Sequence, residues 1–458
     1  MNASSFTPRQ RLTVLLMLVA VVLVFAMLSG FVVTSLHSLQ DQPPATLPPV
    51  VPSSTAIITT PPPTSAPLPE EGIWSQVQAA RLFDQIAHQV ETERALSPRA
   101  EVPLTFLDER EMTTLLRQIY TGRDLETQLL PYVALGLLPD ASISIRIHQA
   151  AGVYVSEQEQ LYIATGHPVN SNNDQALLAH AHVHALQDQH FDLGAMAARA
   201  TTSDGTLAAE ALIEGDATLL TAFYRYRDLA EVDWEYLTTL LRQAERPGYG
   251  EELDSDEAWT RLQNFPYREG HLFADALFQA GGWETINHAY TAPPRSTEQV
   301  LHPERYLDGQ DDPAYIVVPY LGAALGEGWE MLLRDTLGEF VTGLYLGTLL
   351  PQETAWQAAD GWGGDTFVVW ERDDGGRVQV WRTIWDNTAE AEEFERALVA
   401  TIPHRYLPAQ PLTPPEGMAG QWWETNSEAV CISRAARYVT FVEAPDADVL
   451  ADVVEALP

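Results

Sequence analysis

The chain of 458 residues contains no lysine: all 26 basic side chains are arginine, set against 63 Asp and Glu, for a formal charge of -37. Binding to a phosphate backbone needs positive charge to displace counterions, so this balance argues against a nucleic-acid partner. The acidic excess reads instead as a solvated, self-repelling surface. Cysteine is nearly absent as well. Cys431 stands alone, so neither an intramolecular disulfide nor a four-thiolate metal site can form, and the residue reads as a small buried hydrophobe. No P-loop, G-x-G-x-x-G or G-x-S-x-G signature occurs, which removes nucleotide-binding and α/β-hydrolase readings. Apolar residues, by contrast, make up 46% of the chain and charged residues 19%, a globular composition of a length suited to two or three domains.

One long apolar run is present. From Leu12 to Leu36 the chain is uncharged and mostly hydrophobic, long enough at helical rise to cross a bilayer core of about 30 Å. It exceeds a secretory hydrophobic region and ends without a small-x-small cleavage pattern, so a retained anchor is expected. Arg9 and Arg11 precede it while His37 and Asp41 follow. The positive-inside bias therefore leaves residues 1–11 in the cytoplasm and the bulk outside, as a single-pass protein of the cell membrane. Residues 37–72, rich in Pro, Ser and Thr, cannot bury a core and read as a semi-extended stalk.

The folded part is expected to start near Ile73. Trp74, Val77, Ala80, Leu82 and Ile86 recur at helical spacing, Val102 to Leu107 reads as a strand, and Glu111 to Tyr120 as a helix. Gly152 to Thr165 holds two β-prone runs around a polar turn, a hairpin signal. Next comes a helix, with Asn173 as its expected N-cap, that carries His180, His182, His184 and His190. At 100° per residue, His180 and His184 share a face one turn apart, while His182 is rotated by about 200° and points elsewhere. Chance alone supplies about 0.3 such i,i+4 pairs among 12 histidines in 458 residues, so the pair draws its meaning from its surroundings.

The window LLAHAHVHALQDQHFDL resembles the active-site helix of gluzincin zinc metallopeptidases, whose pattern is H-E-x-x-H with a glutamate ligand further on. That chemistry needs two imidazoles at i,i+4, a third protein ligand, and a carboxylate beside the first histidine to take a proton from the attacking water. His180 and His184 match the ligand positions, whereas Ala181 occupies the place of the general base. Downstream, TLAAEALIEGDATLLTAFYRY sets Glu214 among Ala211, Ile213, Ala217 and Leu219, and Gly215 permits close approach of a neighbouring helix. Its E-G-D-A phrase looks like the Asn-Glu-Gly ligand segment of gluzincins. The resemblance therefore implies zinc held by His180, His184 and Glu214, with Glu210 in reserve, and Asp216 or Thr218 orienting a ligating histidine.

The phrase from Pro294 to Tyr306 is similar to one found in exported proteins that carry a peptidase-like His-Glu helix. Gluzincins stabilise an oxyanion with a downstream Tyr or His, which makes His302, Tyr267 and Tyr290 candidates on chemical grounds. The alternatives for these three are turn closure and core packing. Beyond the phrase, helical patterns are expected over Ala314 to Ala359. A hairpin around Asp373 to Gly376, a helix Glu390 to Ala400, a strand Tyr438 to Glu443 and a helix Asp446 to Leu457 then follow. Trp362, Trp370, Trp381 and Trp385 on this hairpin and its flanks suit either core packing or a carbohydrate platform.

The expected fold class is thus α+β: a mostly helical, zincin-like ectodomain over 73–310 and a C-terminal helical and α+β region over 311–458, behind one transmembrane helix. Two functions fit. One is a pseudopeptidase that keeps zinc and binds a peptide or protein ligand but has lost its general base. The other is an active zinc peptidase in which Glu210 or Asp188 substitutes. A structural domain with hydrogen-bonded histidines and no metal is the third reading.

Overall fold

Residues 76–121, 125–138, 152–165, 172–226, 253, 255–309 and 311–458 are described in a computed structural model of the protein. The span expected over Leu12 to Leu36, the stalk and Trp74 lie outside them. Among the described residues no helix is long and apolar enough to cross a membrane. The architecture is mixed α+β, with fourteen α-helices and two sheets among those residues.

The first helix, α1 (Gln76–Arg94), buries Ala79, Phe83, Ile86, Ala87, Val90 and Arg94, while Val77 is exposed, so its apolar face is rotated from the one the spacing suggested. Strand β1 (Leu104–Leu107) leads into α2 (Glu109–Thr121), which opens on a reciprocal cap: Glu111 N–H donates to Asp108 Oδ1 and Asp108 N–H to the Glu111 carboxylate. After α3 (Leu125–Ala134), the expected hairpin is present as β2 (Gly152–Val155) and β3 (Gln160–Ala164). Glu159 turns the chain in the left-handed region, at φ 51°. Strand β3 pairs antiparallel with β2 and parallel with β1, so β2 is an edge of this three-stranded sheet.

Beneath that sheet runs α4 (Asn172–Phe191), the histidine helix. Its start at Asn172 places Asn173 inside the first turn rather than at the cap. Short α5 (Leu193–Arg199) precedes α6 (Ser203–Tyr226), and α6 packs along α7 (Ser255–Ala289), a long helix bent where Gly281 and Gly282 leave helical geometry. The Pro294–Tyr306 phrase forms two short helices, α8 (Thr297–Leu301) and α9 (Pro303–Asp308).

The C-terminal region departs from the helical expectation over Ala314 to Ala359. Only α10 (Gly322–Leu325), α11 (Gly338–Gly347) and α12 (Gln352–Ala359) are helical there. Trp329–Asp335 is a strand, β4, because its backbone pairs with β5 (Trp362–Arg372), a long-range partner that local periodicity cannot reveal. With β6 (Arg377–Trp385), β7 (Gln410–Leu412), β8 (Gln421–Glu424), β9 (Ala429–Ala435) and β10 (Tyr438–Ala444), these make an antiparallel seven-stranded sheet in the order β4-β5-β6-β10-β9-β8-β7. Helix α13 (Thr388–Arg405) starts on an Asn387 capping box, and α14 (Ala447–Ala456) on an Asp446 cap. Trp362, Trp370, Trp381 and Trp385 are all fully buried, which makes them core and leaves no aromatic platform. Cys431 is buried too, and burial pushes its thiol up to about 12. One hydrophobic core runs without a break from Leu212 and Phe273 in the helical part to Phe367, Trp381 and Phe441 in the sheet.

Candidate metal centre

Helices α4 and α6 lie side by side, and their facing surfaces bring three ligand-type atoms to one point. His180 Nε2 is 3.1 Å from Glu214 Oε2, His184 Nε2 is 3.3 Å from the same oxygen, and the two Nε2 atoms are 3.0 Å apart. A tetrahedral zinc with bonds of about 2.0–2.1 Å would place neighbouring ligands roughly 3.3 Å apart, so these separations fit such an ion. His180 and Glu214 are fully buried and His184 nearly so. The three side chains form a group able to hold a metal ion.

Which proton each imidazole carries follows from its other nitrogen. Gln187 Nε2 donates to Ile213 O at 3.0 Å and to Asp216 Oδ2 at 2.9 Å, which fixes its amide and turns Oε1 toward His184. Oε1 can only accept, so His184 Nδ1, 2.8 Å away, is the donor. The Thr221 hydroxyl gives its proton to Ala217 O at 2.7 Å, and its oxygen is left to accept from His180 Nδ1 at 3.3 Å. With both Nδ1 atoms protonated, both Nε2 lone pairs face a carboxylate oxygen at about hydrogen-bond distance. Three converging lone pairs repel unless a cation or a shared proton lies among them.

Burial works to lower the His184 pKa, but Glu214, Gln187 and Asp216 together outweigh it and the net direction is up. His180 is lowered, chiefly by burial. Burial would raise Glu214, yet His184 and His180 together hold it below the usual carboxylate range. Its second oxygen, Oε1, is buried without a hydrogen-bond partner among the described residues. A buried acceptor left open beside two oriented imidazoles suits a cation rather than a closed hydrogen-bonded core.

Behind the cluster, Arg94 from α1 grips Asp216 with Nε at 2.7 Å and Nη2 at 3.0 Å. Tyr290 Oη donates to the same carboxylate at 2.8 Å. Asp216 therefore does reach His184, but through Gln187. Thr218 does not: its hydroxyl is buried without a partner among the described residues, and the contact to His180 is made by Thr221. Gln187, Thr221 and Arg94 escaped the sequence reading. Gln187 sits three residues after His184 on the same helical face, a spacing that could have flagged it. Arg94 has no local signal at all.

The remaining candidates separate. The Tyr267 ring stacks on His180 with centroids 6.5 Å apart, so it belongs to the site. His302 does not pair with the cluster: its Nε2 is 3.0 Å from Glu339, in a patch that also holds Asp360. Tyr290 is committed to Asp216. Asp188 receives Tyr154 Oη at 2.8 Å, Ser156 Oγ at 2.6 Å and Leu193 N–H at 3.1 Å, and so pins the hairpin to α4 and α5 rather than facing His180, His184 and Glu214. His182, on the other face of α4 as expected, lies 3.2 Å from Glu91 and packs edge-on against Phe83. Glu210, one turn before Glu214, is buried; burial first, and the Glu214 charge second, push its pKa well up. Its Oε1 has no hydrogen-bond partner among the described residues. Ala181 is buried beneath β2, where a Cβ on Gly152 would lie 3.8 Å from its methyl group.

His302 with Glu339 and Asp360 also has ligand-like spacing, and so does a third group, Glu298 with Asp311 and Asp386. The centre of the third group is already filled. Arg305 Nη1 bonds to Glu298 and lies 3.1 Å from Asp311 and 3.3 Å from Asp386, so a guanidinium occupies the position of a cation.

Residues 330–454 match the family model of a domain of unknown function (DUF8575), which covers most of the C-terminal sheet and none of the histidine cluster. No curated protein and no solved structure matches the chain.

Proposed function

We propose that this chain is a membrane-anchored, gluzincin-like pseudopeptidase. In this reading its extracellular part holds one zinc ion through His180, His184 and Glu214 and binds peptides without cleaving them efficiently. The observation that carries the reading is the meeting of three buried lone pairs within 3.0–3.3 Å, on imidazoles whose Nδ1 protons are already committed. When bound there, zinc supplies Lewis-acid polarisation of a peptide carbonyl. What the chain lacks is the proton acceptor. The Ala181 methyl cannot take a proton, and His182 is turned to the opposite face with Glu91. A positioned general base is worth about 10²–10⁴ in rate, so hydrolysis without one is feeble. Tyr267, stacked on His180, is the remaining candidate for oxyanion stabilisation.

A second reading rests on Glu210. A buried carboxyl with an open oxygen, one turn from a ligand, has the placement of a substitute acid-base group, which would make the protein an active zinc peptidase. Elemental analysis of the purified full chain after zinc loading tests the shared premise. One zinc per chain is expected, falling to a small fraction in His180→Ala with His184→Ala. Equal zinc content in the wild type and the double variant would sink both readings.

A further inference from the structure

The chain of contacts behind His184 reaches the first helix of the folded part, and its direction is set donor by donor. Arg94, wholly buried at the end of α1, donates twice to Asp216 and once to Asn287 Oδ1, at 2.8 Å. Its guanidinium also lies over the Trp283 ring, 4.5 Å from the centroid. Asp216 Oδ2 then accepts from Gln187 Nε2, and Gln187 Oε1 accepts from His184 Nδ1. Each member has one available role. A carboxylate only accepts, a guanidinium only donates, and the amide, held by Ile213 O and Asp216, can present only its oxygen to the imidazole.

From this geometry we infer that Gln187 and Arg94 are positioning residues of the metal centre, holding His184 in the tautomer whose Nε2 lone pair faces His180 and Glu214. The inference rests on the proposed metal reading and adds the two residues that make the site selective for a bound cation over an alternative imidazole tautomer. Without Gln187, the His184 ring loses its anchor and can turn over or move its proton to Nε2, where it blocks the cluster. Without Arg94, the Asp216 carboxylate is buried and unneutralised, and its grip on the amide is no longer oriented. Because Arg94 belongs to α1, docking of this helix and filling of the metal centre are linked, each favouring the other.

The test uses the detergent-solubilised full chain and two readouts. Zinc affinity is measured by chelator competition, and the His184 tautomer by ¹⁵N chemical shifts in the metal-free protein with labelled histidine. Gln187→Met is expected to weaken zinc by about 10–100-fold, the usual effect of losing such a partner, and to remove the Nδ1-protonated signature of His184. Arg94→Lys keeps the charge but cannot grip Asp216 with two nitrogens, and is expected to weaken zinc several-fold. Wild-type affinity and an unchanged His184 signature in Gln187→Met would overturn the inference. Should Gln187→Met fail to fold, Arg94→Lys decides by the same two readouts, wild-type zinc affinity there overturning the inference. If the wild type takes up no zinc, the metal reading fails, while the tautomer of metal-free His184 still decides the positioning role.

Discussion

Gly215 and Gly270 meet where α6 crosses α7, so closely that a Cβ on Gly215 would stand 2.0 Å from the Gly270 carbonyl oxygen. The reverse contact is as tight, with a Cβ on Gly270 falling 2.3 Å from Ala211 O. The neighbouring atoms are backbone and cannot swing aside. Gly215→Ala must therefore push the helices apart next to Glu214, and is expected to cost about 1–3 kcal/mol or more. Chemical denaturation should show the loss, with zinc affinity falling alongside it. An unchanged unfolding midpoint would mean the crossing is looser than described.

Restoring the missing base is the most direct probe of the proposed function. Ala181→Glu completes the H-E-x-x-H pattern, and if the rest of the site is assembled, peptide hydrolysis should rise by about 10²–10⁴. Ala181 lies buried against β2, so the longer, charged side chain should also lower stability. Hydrolysis of a mixed peptide library, with and without chelator, checks this. Rates insensitive to both chelation and the substitution would reject a zinc-centred site.

Glu210→Gln separates the two functional readings. If Glu210 serves as the substitute base, any zinc-dependent turnover by the wild type should disappear, while zinc content stays at one per chain. The pseudopeptidase reading expects negligible turnover before and after. In that case Glu210→Gln should leave stability unchanged or increase it, because a buried carboxyl beside Glu214 is replaced by a neutral amide.

Burial also sets a pH dependence at the junction between α6 and the C-terminal sheet. Asp204, bonded to Thr297 N–H and Oγ1, is pushed up to about 8, mainly by burial. Asp365, which accepts from the N–H groups of Leu337 and Gly338, is pushed up to about 7 for the same reason. Each folded-state value lies above the ordinary aspartate value of 3.8, so between about pH 4 and 8 the folded protein binds more protons than the unfolded chain. Stability from these groups should be highest below about pH 4 and fall as pH rises toward 8, with a slope of at most about 1.4 kcal/mol per pH unit for each. Asp204→Asn should flatten the profile between about pH 4 and 8. A wild-type profile that rises over this range would contradict the burial argument.

The membrane topology has its own check. With the anchor retained and the folded part outside, protease added to intact cells should cut the stalk between residues 37 and 72. Protection in intact cells that is lost on lysis would show the opposite orientation. Release of the folded part without cutting of the stalk would show a cleaved leader.

Much of this was legible in the sequence because it is local. The i,i+4 spacing alone puts His180 and His184 on one face and turns His182 away, and the structure has both arrangements. Gly215 marked a close helix crossing because only a residue without a Cβ suits one. The hairpins at 152–165 and around Asp373 to Gly376 followed from alternation broken by polar turns. Other features depend on partners distant in the chain. Trp329–Asp335 is a strand only because β5 lies beside it, and α1 buries Phe83 and Val90 rather than Val77 because of what it packs against. Chemistry assigned from residue type alone was redistributed in the same way, His302 going to Glu339 and Asp188 to the hairpin. The histidine pair needs one turn of helix, which the sequence by itself determines. Glu214, 30 residues beyond His184, the Gln187 amide and the arginine behind it meet the histidine pair only through tertiary packing. A buried polar group takes whichever partner the fold brings within 3 Å, and no periodicity encodes that.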